Sequence, residues 1–354
     1  MEAYIRGIGN ISPQPTFDNG TFLEDIRRYN HARLQVVEPD YKQYIKPLQL
    51  RRMSHLLKMG VTAAGISLQD AGVEKPGAII TSTGLGMMEE TEKFLNAMID
   101  NQERLLNPTA FIQSTHNTVG ASIAVMLGCN QYNLTYVHGP VSFENALLDS
   151  LMWLEERPGV NVLLGGVEEI TEDHFKVLDT MDFWKKGAVD NLNILNDGKP
   201  GTLAGEGAAF FVLSKENHPQ NYCRITGLST LFNPEKENIL EDFISSFLAS
   251  RQLRLSDIDL VILGYNGDPV SDAVYANSGD LLKGIPVAYY KHLCGEHYLA
   301  SSFALWLAAK VLRNQAVPEA VLVVKAQRPG NIRNILIHNH HKNVHHSLML
   351  VTSC

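Results

Sequence analysis

Residues Thr135-Tyr136-Val137-His138-Gly139-Pro140-Val141-Ser142-Phe143-Glu144-Asn145-Ala146-Leu147-Leu148-Asp149-Ser150-Leu151-Met152-Trp153-Leu154 pass from a short β-type run through a tight turn into a helix. After Ser142 the apolar residues Ala146, Leu147, Leu148, Leu151, Met152 and Leu154 cover much of a helical circumference, which predicts a buried helix. Pro140 suits a first helical turn, where its missing N–H costs nothing. Unpaired N–H groups and positive potential gather at such a helix start. A thiol placed there would have a lowered pKa. The turn offers a proline and no cysteine, and the functional reading depends on that absence.

The chain of 354 residues is long enough for one large core or two packed domains. A net charge of −8 argues against nucleic acid or an anionic membrane as the main partner. It leaves room for an acidic carrier protein bound through a local basic patch. Cys129, Cys223, Cys294 and Cys354 are far apart and form no CxxC, which predicts reduced thiols. The stretch from Met1 to Gly7 lacks the basic start and apolar core of a signal peptide. No stretch is long and apolar enough to span a membrane. A cytoplasmic setting is the expectation.

The pattern predicts a strand over residues 4–11, irregular chain over 14–47 with a helix near 22–29, and a helix over 53–71 stopped by Gly72. A buried strand over 77–81 leads to a helix over 88–98. Asn107-Pro108 opens a loop, and 119–127 is a helix of small apolar residues. After the central stretch come a buried strand over 161–166, a polar surface excursion over 182–199 and a glycine turn into a strand over 205–213. A boundary is expected at 216–223, dividing the chain into halves 1–220 and 221–354. The second half repeats the plan. A helix over 239–250, a strand over 260–264, a helix over 297–312 that is apolar almost all round, a strand over 320–324 and a closing strand over 347–351 follow in order. Apolar strands alternating with helices indicate mostly parallel sheets covered on both faces, and the repeat would bury both central helices between them.

At this point the chain resembles the β-ketoacyl-acyl-carrier-protein synthases over nearly its whole length. Ile5-Arg6-Gly7-Ile8-Gly9-Asn10-Ile11-Ser12-Pro13 resembles that family's opening strand. Ile79-Ile80-Thr81-Ser82-Thr83-Gly84-Leu85-Gly86 resembles the strand before its GxGxG turn. Asn107-Pro108 through Asn117 and Gly120 resembles a dimer-interface segment. Val162-Leu163-Leu164-Gly165-Gly166-Val167-Glu168-Glu169, the turn Ala204-Gly205-Glu206-Gly207-Ala208, the block Pro269-Val270-Ser271-Asp272 and the stretch from Lys291 to Gly295 follow in family order. The resemblance implies an α/β thiolase fold, a layered αβαβα arrangement built from two related βα halves.

The family's chemistry uses a cysteine that takes the acyl chain and two histidines that assist decarboxylation and stabilise the enolate and oxyanion. Here the resemblance places Pro140 at the cysteine, Gly264 at the first histidine and Glu296 at the second. Proline has no nucleophile, glycine has no side chain, and a carboxylate repels a developing enolate. Glu206 and Lys291 are retained family residues. His340-His341-Lys342-Asn343 replaces the glycine-rich gating loop.

Shifted residues could restore activity. Ser142 is a substitute nucleophile with His138 as its base, against a plain role in the first turn of the helix. Cys294 and His297 could form a dyad, against a buried thiol and a capping or packing histidine. His338, His340, His341, His345 and His346 could bind a metal only if they converge, and the plain reading is a polar loop and strand end. Glu206 is read as satisfying backbone donors. Lys291 would steady Glu296 or Glu206 by charge, against a plain surface lysine.

The resemblance implies no catalytic residue, no metal and no cofactor. It implies a non-catalytic, chain-length-factor type subunit that pairs with an active ketosynthase as a heterodimer, or with itself as a homodimer. Such a pair would be served by an acyl carrier protein in polyketide, aryl-polyene or fatty-acid-type synthesis. The alternatives are a divergent acyltransferase using Ser142 or Cys294 with His297, and a homodimeric acyl-binding protein.

Overall fold

The computed structural model describes residues 1–234, 239–276, 281–325 and 330–354. The first half supplies strands β1 (Ala3–Ile11), β2 (Ala78–Ser82), β3 (Tyr132–Tyr136), β4 (Val162–Glu168) and β5 (Gly207–Ser214). They lie in the order β1-β5-β4-β2-β3. The first two pairings are antiparallel and the last two parallel. The second half supplies β6 (Cys223–Phe232), β7 (Leu260–Leu263), β8 (Val287–Tyr289), β9 (Asn334–His341) and β10 (His345–Thr352). Their order is β6-β10-β9-β7-β8, with the same succession of two antiparallel and two parallel pairings. The repeat expected from the sequence is therefore present in strand order, but the expectation of mostly parallel sheets is corrected: among the described strands of the large sheet antiparallel pairings outnumber parallel ones. The two sets join where Ala3–Ile5 runs antiparallel to the start of β6. A short strand, Leu322–Val324, extends the second set beyond β8.

Helices form the other layers. Helix α1 (His55–Ala71) packs on β1, β4 and β5. The Ser54 side chain accepts from the Leu57 N–H at its start, and Gly72 ends it at φ 64°. Gly7 and Gly9 are required by this packing. A Cβ at Gly9 would lie 2.1 Å from the Ala63 carbonyl oxygen, and one at Gly7 would lie 2.4 Å from that of Ser67. Helices α2 (Met88–Asp100), α3 (Pro108–Gln113) and α4 (Thr118–Leu127) follow β2. Helix α5 (Ser142–Glu156) and helix α7 (Ala300–Asn314) share one core with strand residues of both halves, including Phe143, Leu147, Phe303, Trp306, Phe211 and Ile337. Each fully buried Leu, Ile or Phe there contributes about 1.5–3 kcal/mol. Helix α6 (Ile239–Ala249) covers the outer face of the second half with Ile244, Phe247 and Leu248. The order helix, sheet, helix pair, sheet, helix is the layered thiolase fold.

Several expectations are corrected. Residues 22–29 form bends and no helix. Asn107-Pro108 opens helix α3, where Asn107 accepts from the Thr109 N–H as its N-cap, and not a loop. The 182–199 segment is anchored and not a surface excursion, because Trp184, Val189, Asn191 and Ile194 are buried. Its buried Lys185 donates to Asp197, to the Lys199 carbonyl and to the Gly267 carbonyl. Helix α7 starts at Ala300, so His297 precedes it. Residues 338–341 lie in β9, and β6 and β8 were not foreseen. Helix α5 is not buried all round: Leu148 and Met152 are exposed.

Candidate functional site

The start of α5 is built by a single turn of 3-10 helix, Gly139–Val141, with Gly139 at φ 53°. Pro140 sits within it and offers no reactive atom. Ser142 is fully buried. Its Oγ accepts from the His138 backbone N–H at 2.7 Å and donates to the Gly139 carbonyl at 2.8 Å. The serine closes the turn, and His138 reaches it through the backbone and not through its imidazole. Two residues on, Glu144 is buried and accepts from the Ser347 hydroxyl at 2.8 Å. Burial raises its pKa.

Gly264 follows the last residue of β7, and its N–H donates to the His338 carbonyl. The space a side chain would need is filled. A Cβ would lie 2.5 Å from Asn339 Oδ1 and 2.6 Å from the Tyr275 hydroxyl. Asn339 is held by the Tyr290 hydroxyl, which donates to its Oδ1 at 2.9 Å. Tyr275, Tyr290 and Asn339 were missed from the sequence. Asn339 shares the inward face of β9 with Ile335 and Ile337, so period-two alternation would have placed it once 334–341 was read as a strand.

Lys291 and Glu296 are both buried, and the Lys291 ammonium donates to both carboxylate oxygens at 2.9 Å. Asn266 Nδ2 donates to Glu296 Oε2 at 2.8 Å. Burial opposes ionisation of Glu296, but Lys291, His341 and Asn266 outweigh it and hold the carboxyl below the usual range. Lys291 thus steadies Glu296 and not Glu206. Glu206 accepts from the backbone N–H groups of Val36 and Ile170, which ties two distant segments to its turn.

Cys294 is buried, its thiol donates to the Gly295 carbonyl, and burial pushes its pKa up. His297 has a buried Nδ1 without a partner among the described residues, and burial lowers the ring to about 4. No hydrogen bond joins Cys294 to His297 among the described residues. The histidine cluster belongs to the β9–β10 hairpin. Its turn has Lys342 at φ 52° and Asn343 at φ 53°, and the Val344 N–H donates to the His341 carbonyl, as in a type I′ hairpin turn. The Nε2 of His338 meets Nδ1 of His346 at 3.2 Å, Nε2 of His346 meets Asn343 Oδ1, and Nε2 of His340 donates to the Ser271 carbonyl. Burial lowers His338 to about 3, His340 to about 2 and His346 to about 4. These imidazoles satisfy one another and the backbone, and among the described residues no group of three or more ligating side chains converges on a metal position.

Two open cavities meet at Glu296. One has a volume of about 70 Å³ and is lined by Glu168, Glu169, Phe183, Trp184, His297 and Tyr298 among others. The other has a volume of about 350 Å³ and runs toward Asn266, Ser271 and His340. Phe183, Glu296, His341 and Lys342 line both. Glu168 accepts from the Gly84 and Leu85 N–H groups and from Thr83. Burial pushes Glu168 up to about 8 and Glu169 to about 7. Among the described residues no helix is long and apolar enough to cross a membrane.

No curated protein matches the chain by sequence. Its structure is similar to that described as "The ishigamide ketosynthase/chain length factor", with a TM-score of 0.82 and 15% identity over 100% of this chain and 99% of that one. It is also similar to an acyl-carrier protein in complex with its ketosynthase bound to the hexaketide, "AntDE:AntF", at a TM-score of 0.79 and 13% identity, again over 100% and 99%. A β-ketoacyl synthase from Burkholderia phymatum STM815 gives 0.76 and 14% over the same shares. At identities this low, the TM-scores show a shared fold and nothing more. The sequence profile of the β-ketoacyl synthase N-terminal domain matches residues 28–220, more than half of the chain, and the chain therefore belongs to the β-ketoacyl synthase family.

Proposed function

We propose that this chain is a non-catalytic, chain-length-factor type subunit that pairs with an active ketosynthase and is served by an acyl carrier protein. The observation that carries the reading is the packing at Gly264. A catalytic histidine there would occupy space already held by Asn339 and Tyr275. Pro140 at the helix start and the ion-paired Glu296 support the same reading. The hydrogen bonds that occupy Ser142 and Cys294 weigh against a substitute nucleophile. The division into halves 1–220 and 221–354 and a cytoplasmic setting belong to this proposal.

The pairing surface is the edge of the first sheet. Strand β3 lies at the end of its sheet and leaves one side unpaired, a template for another chain. Leu134 on β3, Val125 on α4, Leu148 and Met152 on α5, and Phe111 and Ile112 on α3 are exposed. Helices α4 and α5 pack against β3. Apolar side chains gathered around an open strand edge suit a second subunit of the same architecture. The first test is co-expression with active ketosynthases, followed by size-exclusion chromatography and native mass spectrometry. A one-to-one complex is the expected result. A stable monomer that recruits no ketosynthase contradicts the pairing, and an exclusive self-dimer moves it to the homodimeric form.

A further inference from the structure

The cavity beside Glu296 is walled by aromatic rings and carboxylates. Phe183 and Trp184 meet edge to face at 4.7 Å between ring centroids, and Phe175 stacks on Trp184 at 5.7 Å and fixes its plane. Tyr298 and His341 meet on the other side at 5.3 Å. The acidic lining residues are Glu168, Glu169 and Glu296. Glu168 is occupied by three donors and Glu296 by Lys291 and Asn266. Glu169 is only 4% exposed, and the Glu89 N–H takes its Oε1 at 3.0 Å. Among the described residues no donor reaches its Oε2. One ammonium is already seated on this aromatic wall. Lys342, at the mouth of the cavity, holds Nζ 4.8 Å from the centroid of Phe183.

Ring faces attract cations, and more strongly away from water. A carboxylate with a free oxygen adds a charge-assisted hydrogen bond. We propose that this cavity binds a small organic ammonium carrying an apolar body. The ammonium lies between the Phe183 face and the Glu169 carboxylate, and the body lies against Trp184 and Tyr298. Lys342 occupies the ring face when the ligand is absent and yields it on binding. This assignment is independent of whether the chain pairs with a ketosynthase.

The test is isothermal titration calorimetry of the full chain at pH 8 with 2-phenylethylammonium, and with 2-phenylethanol as the uncharged comparison. The ammonium is expected to bind at least about tenfold tighter than the alcohol. Lys342→Ala, an exposed turn position, is expected to tighten ammonium binding severalfold by clearing the ring face. Glu169→Gln, if circular dichroism shows it folded, is expected to weaken it about tenfold. Absence of binding, equal affinity for the alcohol, a Lys342→Ala variant that binds no tighter than the parent, or a folded Glu169→Gln variant of unchanged affinity would each overturn the proposal. Should Glu169→Gln not fold, the Lys342→Ala result and the alcohol comparison decide it.

Discussion

The ammonium of Lys291 lies 2.9 Å from both carboxylate oxygens of Glu296, and both side chains are buried. A lysine and a carboxylate that could each be reactive alone are committed to one another. Removing one partner strands the other's charge in the interior, which costs about 3–5 kcal/mol. Lys291→Met or Glu296→Leu alone is therefore expected to destabilise by that order. The double replacement is expected to be far milder than the sum. Urea unfolding of the two single variants and the double variant measures the coupling.

Packing at Gly264 leads to a second expectation. Even Gly264→Ala would force Asn339 or Tyr275 to move, because its Cβ would lie within 2.6 Å of both. Overpacking of this kind costs about 1–3 kcal/mol. Pairing the change with Asn339→Ala should recover part of the loss. A Gly264→Ala variant as stable as the parent would show that this space is open.

Stability should depend on pH in two opposite ways. His338, His340 and His346 titrate in the folded chain at about 3, 2 and 4, below their ordinary value near 6.5. Below about pH 6.5 the unfolded chain binds protons that the folded chain refuses, so stability falls as pH falls toward these values. Each histidine contributes up to about 1.4 kcal/mol per pH unit to that loss. Glu168, raised to about 8, acts the other way. Between its unfolded pKa and 8 the folded chain holds the extra proton, so this contribution is lost as pH rises through 8. Urea midpoints from pH 4.5 to 9 should show both limbs. His338→Phe with His346→Phe should flatten the acidic limb, and Glu168→Gln the alkaline one.

The open edge of β3 gives a fourth expectation. Met152 is 49% exposed and Leu148 39% exposed on α5, so a charge at either position costs little in an isolated subunit. Met152→Asp with Leu148→Lys should abolish assembly in native mass spectrometry while leaving the thermal midpoint of the isolated subunit nearly unchanged. Assembly that survives both changes would place the interface elsewhere.

The sequence revealed the layers because their signals are local. Leu147, Leu151 and Leu154 on α5 and the almost continuous apolar face of α7 follow helical periodicity, while Ile79-Ile80 and Leu163-Leu164 read as strands buried on both faces. Polar strands were harder. His338 and His340 sit in the interior because imidazoles and backbone carbonyls satisfy one another, a pairing across a hairpin that no local pattern records. Lys185 misled for a related reason, since its partners include the distant Gly267 carbonyl. At the site, motif order is what proposes Pro140, Gly264 and Glu296 for the family's catalytic positions. What fills the space at Gly264 could not be read that way, because Asn339 and Tyr275 come from elements far along the chain.

In the proposed role no side chain of this protein takes an acyl group. Intact mass spectrometry of the purified chain, after incubation with acyl-loaded and malonyl-loaded carrier protein, tests it most directly. The mass of the folded protein is expected to stay unchanged. A covalent acyl adduct that disappears in Ser142→Ala or Cys294→Ala would contradict it and identify the nucleophile.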